Sequence, residues 1–166
     1  MSIDVRVRGG GDLARLARQV RDAGGPQLRR QLTSGVRAEV QLLVPAVRQA
    51  ALAIPAKGPK HSGLRQRLAR AVTVNVRTTG RHAGVSISVD PKKMPWGEKA
   101  LPALMEGEAV VRGRRADTRW RHPVYGRDVW VQQEPHPFFY KTVRPLAVKT
   151  RRGINDALGR VTRNIT

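Results

Sequence analysis

The side chains that could carry acid–base, nucleophilic or metal chemistry in this chain are few, and they are badly spaced for it. His61, His82, His122 and His136 never fall at the i, i+4 or short-loop intervals that metal sites use, and acids are sparse around them. His122 and His136 each adjoin a proline and read as imidazoles hydrogen-bonded to backbone in turns. Ser62 lacks a Gly-x-Ser-x-Gly elbow, and Ser34-Gly35 lies inside a helical stripe. Gly9-Gly10-Gly11-Asp12 precedes a helix but matches neither the Walker lysine pattern nor Gly-x-Gly-x-x-Gly, so it reads as a strand-to-helix turn. On a helix Glu106 and Glu108 point to opposite sides, so they are read as forming no catalytic pair. With no cysteine, disulfides, thiolate zinc sites and cysteine nucleophiles are excluded. The expectation is a chain that is not an enzyme and uses no cofactor and no metal.

The remaining chemistry is recognition. A formal charge of +20 favours polyanions or an acidic protein surface as partner. Arginine far outnumbers lysine, which suits bidentate contacts to phosphate or carboxylate. Between Glu39 and Asp90 there is no acid, while Arg48, Lys57, Lys60, Arg65, Arg67, Arg70, Arg77 and Arg81 all fall inside that interval. Such a stretch is either a solvated basic face or a surface that meets opposite charge outside the monomer. Lys57, Lys60, Arg65, Arg67 and Arg70, together with the Arg112, Arg114 and Arg115 cluster, are the candidate basic contact surface.

Aromatic residues are concentrated in one place. Two of the three tryptophans, both phenylalanines and both tyrosines lie between Trp120 and Tyr140. Aromatic rings bury the largest areas of any side chains and dominate interface energetics, so this segment fixes the fold, a partner, or both. Trp120, Arg121, His122, Pro123, Tyr125, Trp130, Phe138 and Phe139 are the candidate assembly interface; completing the core beneath a sheet is the competing role for several of them. Arg121 could stack on a ring or clamp a carboxylate.

Trp120-Arg121-His122-Pro123-Val124-Tyr125-Gly126, a Trp130-Val131 strand and Pro135-His136-Pro137-Phe138-Phe139 leading into a final helix resemble the tail-completion or neck family of long-tailed double-stranded DNA bacteriophages, especially those of actinobacteria. The resemblance runs from about Asp12 onward and includes a long basic amphipathic helix, Ser62-Gly63-Leu64-Arg65 and two alternating strands. It implies a structural virion protein, assembled in the host cytoplasm and located in the neck or tail. It further implies a homo-oligomeric ring, most simply a hexamer, between the head-closure or stopper protein and the tail terminator and tail tube. Acidic neighbours or packaged DNA in the lumen would then meet the positive surface. The alternative is a non-enzymatic basic nucleic-acid-binding protein using the Arg65, Arg67, Arg70 helix and the Lys149, Arg151, Arg152 cluster on phosphates.

These residues need elements to position them. At 166 residues the chain is expected to be one domain over 1–166 with a single core. No apolar run approaches the ~20 residues of a membrane span, and Met1 to Arg6 lacks the apolar core of a signal peptide. Ile3, Val5 and Val7 alternate as a half-buried strand. Asp12 is placed to cap a short helix that Gly24-Gly25 stops, and Pro26 to start a second one carrying Leu28, Leu32, Val36, Val40, Leu43 and Val47, with a kink or restart at Pro45. Residues 55–63 and 107–119 read as flexible or partner-ordered loops, with Ser62 capping a helix through Ala71. Val72, Val74 and Val76, then Val85, Ile87 and Val89, form an antiparallel hairpin. Lys99 to Met105 reads as a short helix, and the chain from Phe138 on as a basic amphipathic helix that Gly153 could interrupt. The fold expected is α+β: a small antiparallel sheet, the 72–89 hairpin plus a strand near 129–132, packed against a long N-terminal helix and a C-terminal helix.

Overall fold

The computed structural model describes residues 4–7, 10–55, 63–77, 84–94, 99–107, 110–111, 114–115, 120–123 and 130–163. Strand β1 (Asp4–Val7) leads into helix α1 (Gly10–Gln41), followed by α2 (Leu43–Leu52) and α3 (Leu64–Ala71). Strands β2 (Val72–Arg77) and β3 (Gly84–Val89) follow, then a 3-10 turn at Pro91–Lys93 and the short helix α4 (Leu101–Met105). Two small ribbons, β4 (Val110–Val111) with β5 (Arg114–Arg115) and β6 (Trp120–Pro123) with β7 (Trp130–Gln133), precede the long helix α5 (Phe139–Arg163). The architecture is α+β, with helices packed on a small antiparallel sheet.

The hairpin forms as the alternation requires, with Val72 opposite Val89, Val74 opposite Ile87 and Val76 opposite Val85. Its third strand is β1, which pairs with β3 and places Val5 opposite Ile87 and Val7 opposite Val85. The strand expected near 129–132 does exist at Trp130–Gln133, but it pairs with β6 in a separate ribbon. The short alternating run at the start of the chain therefore supplies the strand that a lone hairpin lacks. Val85, Ile87 and Val89 are buried against Leu32, Val36 and Val40 of α1, whereas Thr73 and Ser88 share the opposite, polar face with their hydroxyls 3.4 Å apart.

The N-terminal helix does not break at Gly24-Gly25. One helix runs from Gly10 to Gln41 with Pro26 inside it. The backbone stays helical through Gly24, Gly25 and Pro26, and beyond them Leu28, Leu32, Val36 and Val40 turn toward the core. Pro26 removes the bond to the Asp22 carbonyl, but both residues are exposed, and the loss falls on the solvent side of the helix. The break falls instead at Leu42, and Pro45 becomes the third residue of α2. There its missing N–H is one of the first-turn donors that have no intrahelical partner in any case.

Helix α5 is likewise continuous through Gly153. It lies antiparallel on α1, with Gly35 against the Ala157 Cβ at 3.7 Å and Gly153 against Glu39. A Cβ at Gly153 would overlap the Glu39 carboxylate, so the glycine is a close-approach residue and not a helix breaker. Arg160 pairs with the same carboxylate at 3.5 Å. Phe139, Val143, Ile154, Ala157 and Val161 form the buried face of α5.

Candidate contact surfaces

The aromatic segment divides in the structure. Phe138 and Phe139 are 3% and 0% exposed, and the rings of Phe139 and Tyr140 meet edge to face at 5.4 Å. Their place in the assembly interface is therefore corrected: both rings belong to the core, where they leave no surface for a partner. Trp130 is 54% exposed, the most exposed aromatic among the described side chains. The ribbon register puts Trp130 opposite Pro123 and Trp120 opposite Gln133, whose amide Nε2 lies 4.0 Å from the Met105 sulfur. The side chains of Trp120, Arg121, His122 and Pro123, and all of Tyr125, lie outside the described residues.

What anchors this segment is Glu106, a residue weighed from the sequence only as half of a catalytic carboxylate pair. Glu106 is buried, and its carboxylate sits at the N-terminus of α5. Oε1 accepts from the Phe138 and Phe139 N–H groups at 2.8 and 2.7 Å, and Oε2 from the Tyr140 N–H at 3.2 Å. A helix start exposes unpaired N–H groups and a partial positive charge, so a buried carboxylate is stabilised there without a cation. The local sequence Pro135-His136-Pro137-Phe138 offers no side-chain cap, and the first turn of α5 holds no acid. That deficit was the available signal, because uncapped donors next to a buried helix start require an acceptor from elsewhere. Gly107, at φ 73, occupies the left-handed region that ends α4 and turns the chain away just after Glu106.

The candidate basic surface also divides. Arg65 Nη1 donates to the Leu52 and Ile54 carbonyls at 3.4 and 3.3 Å, capping the C-terminus of α2. In return Arg48 Nε, on α2, donates to the Ala69 carbonyl near the end of α3 at 3.2 Å. Arginine at a helix C-terminus satisfies orphan carbonyls and opposes the negative end of the dipole. Arg65 is thus a structural cap and Arg67 is half-buried; of the three arginines on α3 only Arg70 is exposed. Gly63, at φ 70, occupies the N-cap position of α3 in place of the expected Ser62, with no side-chain cap. Arg114 and Arg115 form β5, with side chains outside the described residues, and Lys57, Lys60, Ser62 and Arg112 fall wholly outside them.

The exposed cations that are described lie mainly on the long helices. Lys141, Arg144, Lys149, Arg151, Arg152 and Arg163 all face solvent on α5, and Arg29, Arg30 and Arg37 on α1. Among the described residues no group of three His, Cys, Asp or Glu side chains could hold a metal ion, and no helix is long and apolar enough to cross a membrane. Compared with protein-family models, with characterised proteins and with solved structures, the chain finds no match.

Proposed function

We propose that this chain is a connector subunit of a phage neck. In this reading it is one copy of a ring, most simply a hexamer, that joins the head-closure side to the tail terminator and tail tube at the head–tail junction. Its work is geometric and electrostatic, and it performs no reaction. The reading rests on the resemblance of Trp120 to Gly126 and Pro135 to Phe139 to the neck family. The structural observation that favours it most is the placement of Trp130. An exposed tryptophan stands on a ribbon that runs, through five residues, into a helix start held by Glu106. Interfaces are built on aromatic anchors of this kind carried by a rigid support.

Charge bears on the same point. A ring closes when identical heterologous contacts complete a full rotation, and every copy brings its own +20. The assembly multiplies a self-repelling field, so an acidic neighbour or nucleic acid must offset it. The experiment that tests the reading is to grow the source virus with this chain removed and to image the lysate. Filled heads and finished tails lying unjoined are the expected result. Intact, infectious particles would reject the reading.

A further inference from the structure

We infer that the outward face of α5 is a sequence-independent docking surface for the phosphate backbone of duplex DNA. This inference does not depend on the ring. Lys141, Arg144, Lys149, Arg151, Arg152 and Arg163 are exposed along this helix, and Asp156 is its one acid. From Lys141 to Arg163 the helix advances roughly 33 Å at 1.5 Å per residue, close to one turn of B-form duplex.

The cations are grouped along that length. Lys141 with Arg144 makes one cluster, and Lys149 with Arg151 and Arg152 makes the next. Their centres are about eight residues apart, which is roughly 12 Å along the axis and matches the width of the major groove. Two clusters so placed reach phosphates on opposite rims of the groove. The Arg144 guanidinium lies over the Tyr140 ring, 5.4 Å from its centroid, so its orientation is restrained before any ligand arrives.

The composition of the face chooses between nucleic acid and an acidic protein. Cores of protein interfaces are depleted of charge and rich in apolar and aromatic side chains. Here Val148 is the only exposed large hydrophobic residue, and cations surround it on the helix surface. Base reading needs amide or guanidinium groups at the centre of a groove-filling element. Asn155 is the one amide on α5, and the lysines and arginines of this face are assigned to phosphate, a contact that positions the duplex and carries no sequence preference.

The test compares two triple variants of the full chain that lose equal charge. One carries Lys149→Gln, Arg151→Gln and Arg152→Gln on α5; the control carries Arg77→Gln, Lys92→Gln and Lys93→Gln, exposed cations of β2 and the 3-10 turn. Binding to a random-sequence duplex is measured across a salt series, with polyglutamate as the acidic-protein probe. The α5 triple is expected to bind on the order of a hundredfold more weakly at 0.1 M salt, with the slope of log K against log salt smaller by about 2.7, three contacts at ~0.9 each. The control is expected to change affinity by less than about threefold, since removing charge outside the contact weakens only long-range attraction. A second variant, Lys141→Gln with Arg144→Gln, is expected to lower the slope by about 1.8, and it decides the matter if circular dichroism shows the triple to be unfolded. Equal losses in the α5 and control variants, no duplex binding by the unaltered chain, or polyglutamate binding tighter than duplex would each overturn the inference. Ring formation is read separately by particle mass, so failure here leaves the connector reading standing.

Discussion

The Glu106 carboxylate accepts a 2.7 Å hydrogen bond from the Phe139 N–H, across 33 residues of sequence. One side chain at the end of a five-residue helix thereby fixes where a 25-residue helix begins. Glu106→Ala leaves three backbone donors in a buried site without their acceptor and removes a charge from the dipole. It is expected to destabilise the fold by about 3 kcal/mol in denaturant titration. Glu106→Gln keeps one acceptor oxygen and loses the charge, and about 1–2 kcal/mol is expected. Equal stability for Glu106→Ala and the unaltered chain would show that α5 starts correctly without it.

A second expectation concerns the close approach of α1 and α5. In the unaltered chain a Cβ at residue 153 meets the Glu39 carboxylate, which must swing away and leave Arg160. Gly153→Ala is therefore expected to gain little or lose stability, despite the helix-propensity advantage of alanine. In a Glu39→Ala background the obstruction is gone, and the same substitution is expected to stabilise by about 1 kcal/mol. The thermal midpoints of the four proteins in this cycle measure the coupling.

The two helix caps made by Arg48 and Arg65 separate structural from surface arginines. Arg65→Ala is expected to cost about 1 kcal/mol, the scale of one lost hydrogen bond, whereas Arg70→Ala is expected to stay within about 0.5 kcal/mol. Reversing Arg65, Arg67 and Arg70 together to Glu would thus confound a contact surface with a fold defect. Urea midpoints of the single variants distinguish the two roles.

Much of this architecture was legible in period and phase. Val72, Val74, Val76, Val85, Ile87 and Val89 announced the hairpin by alternation, and the α5 stripe was visible from Phe139 to Val161. Where local punctuation opposed helix formation, the helix won: Gly24-Gly25-Pro26 and Gly153 look like helix breakers, yet α1 and α5 run through them. Gly153 is explained only by a neighbour on another helix, Glu39, which no local signal reveals. The same holds for Glu106 and for Arg65, whose roles depend on long-range backbone partners. Among its candidate surfaces the sequence placed the aromatic segment. It could not separate the buried Phe138 and Phe139 from the exposed Trp130, because adjacent aromatics share composition and differ only in packing.

That separation gives a further expectation. Phe139→Ala should cost about 3–5 kcal/mol, as for other fully buried rings, and yield little folded protein. Trp130→Ala should leave stability within about 1 kcal/mol and reduce association with neighbouring subunits. Melting curves and chromatographic mass of the two variants test both halves.

The connector reading is tested most directly by the particle mass of the purified chain at micromolar concentration, alone and mixed with the adjacent neck proteins. The account predicts a closed multimer, most simply six copies, in the mixture, and its loss with Trp130→Ala. A chain that stays monomeric with those partners present would contradict it.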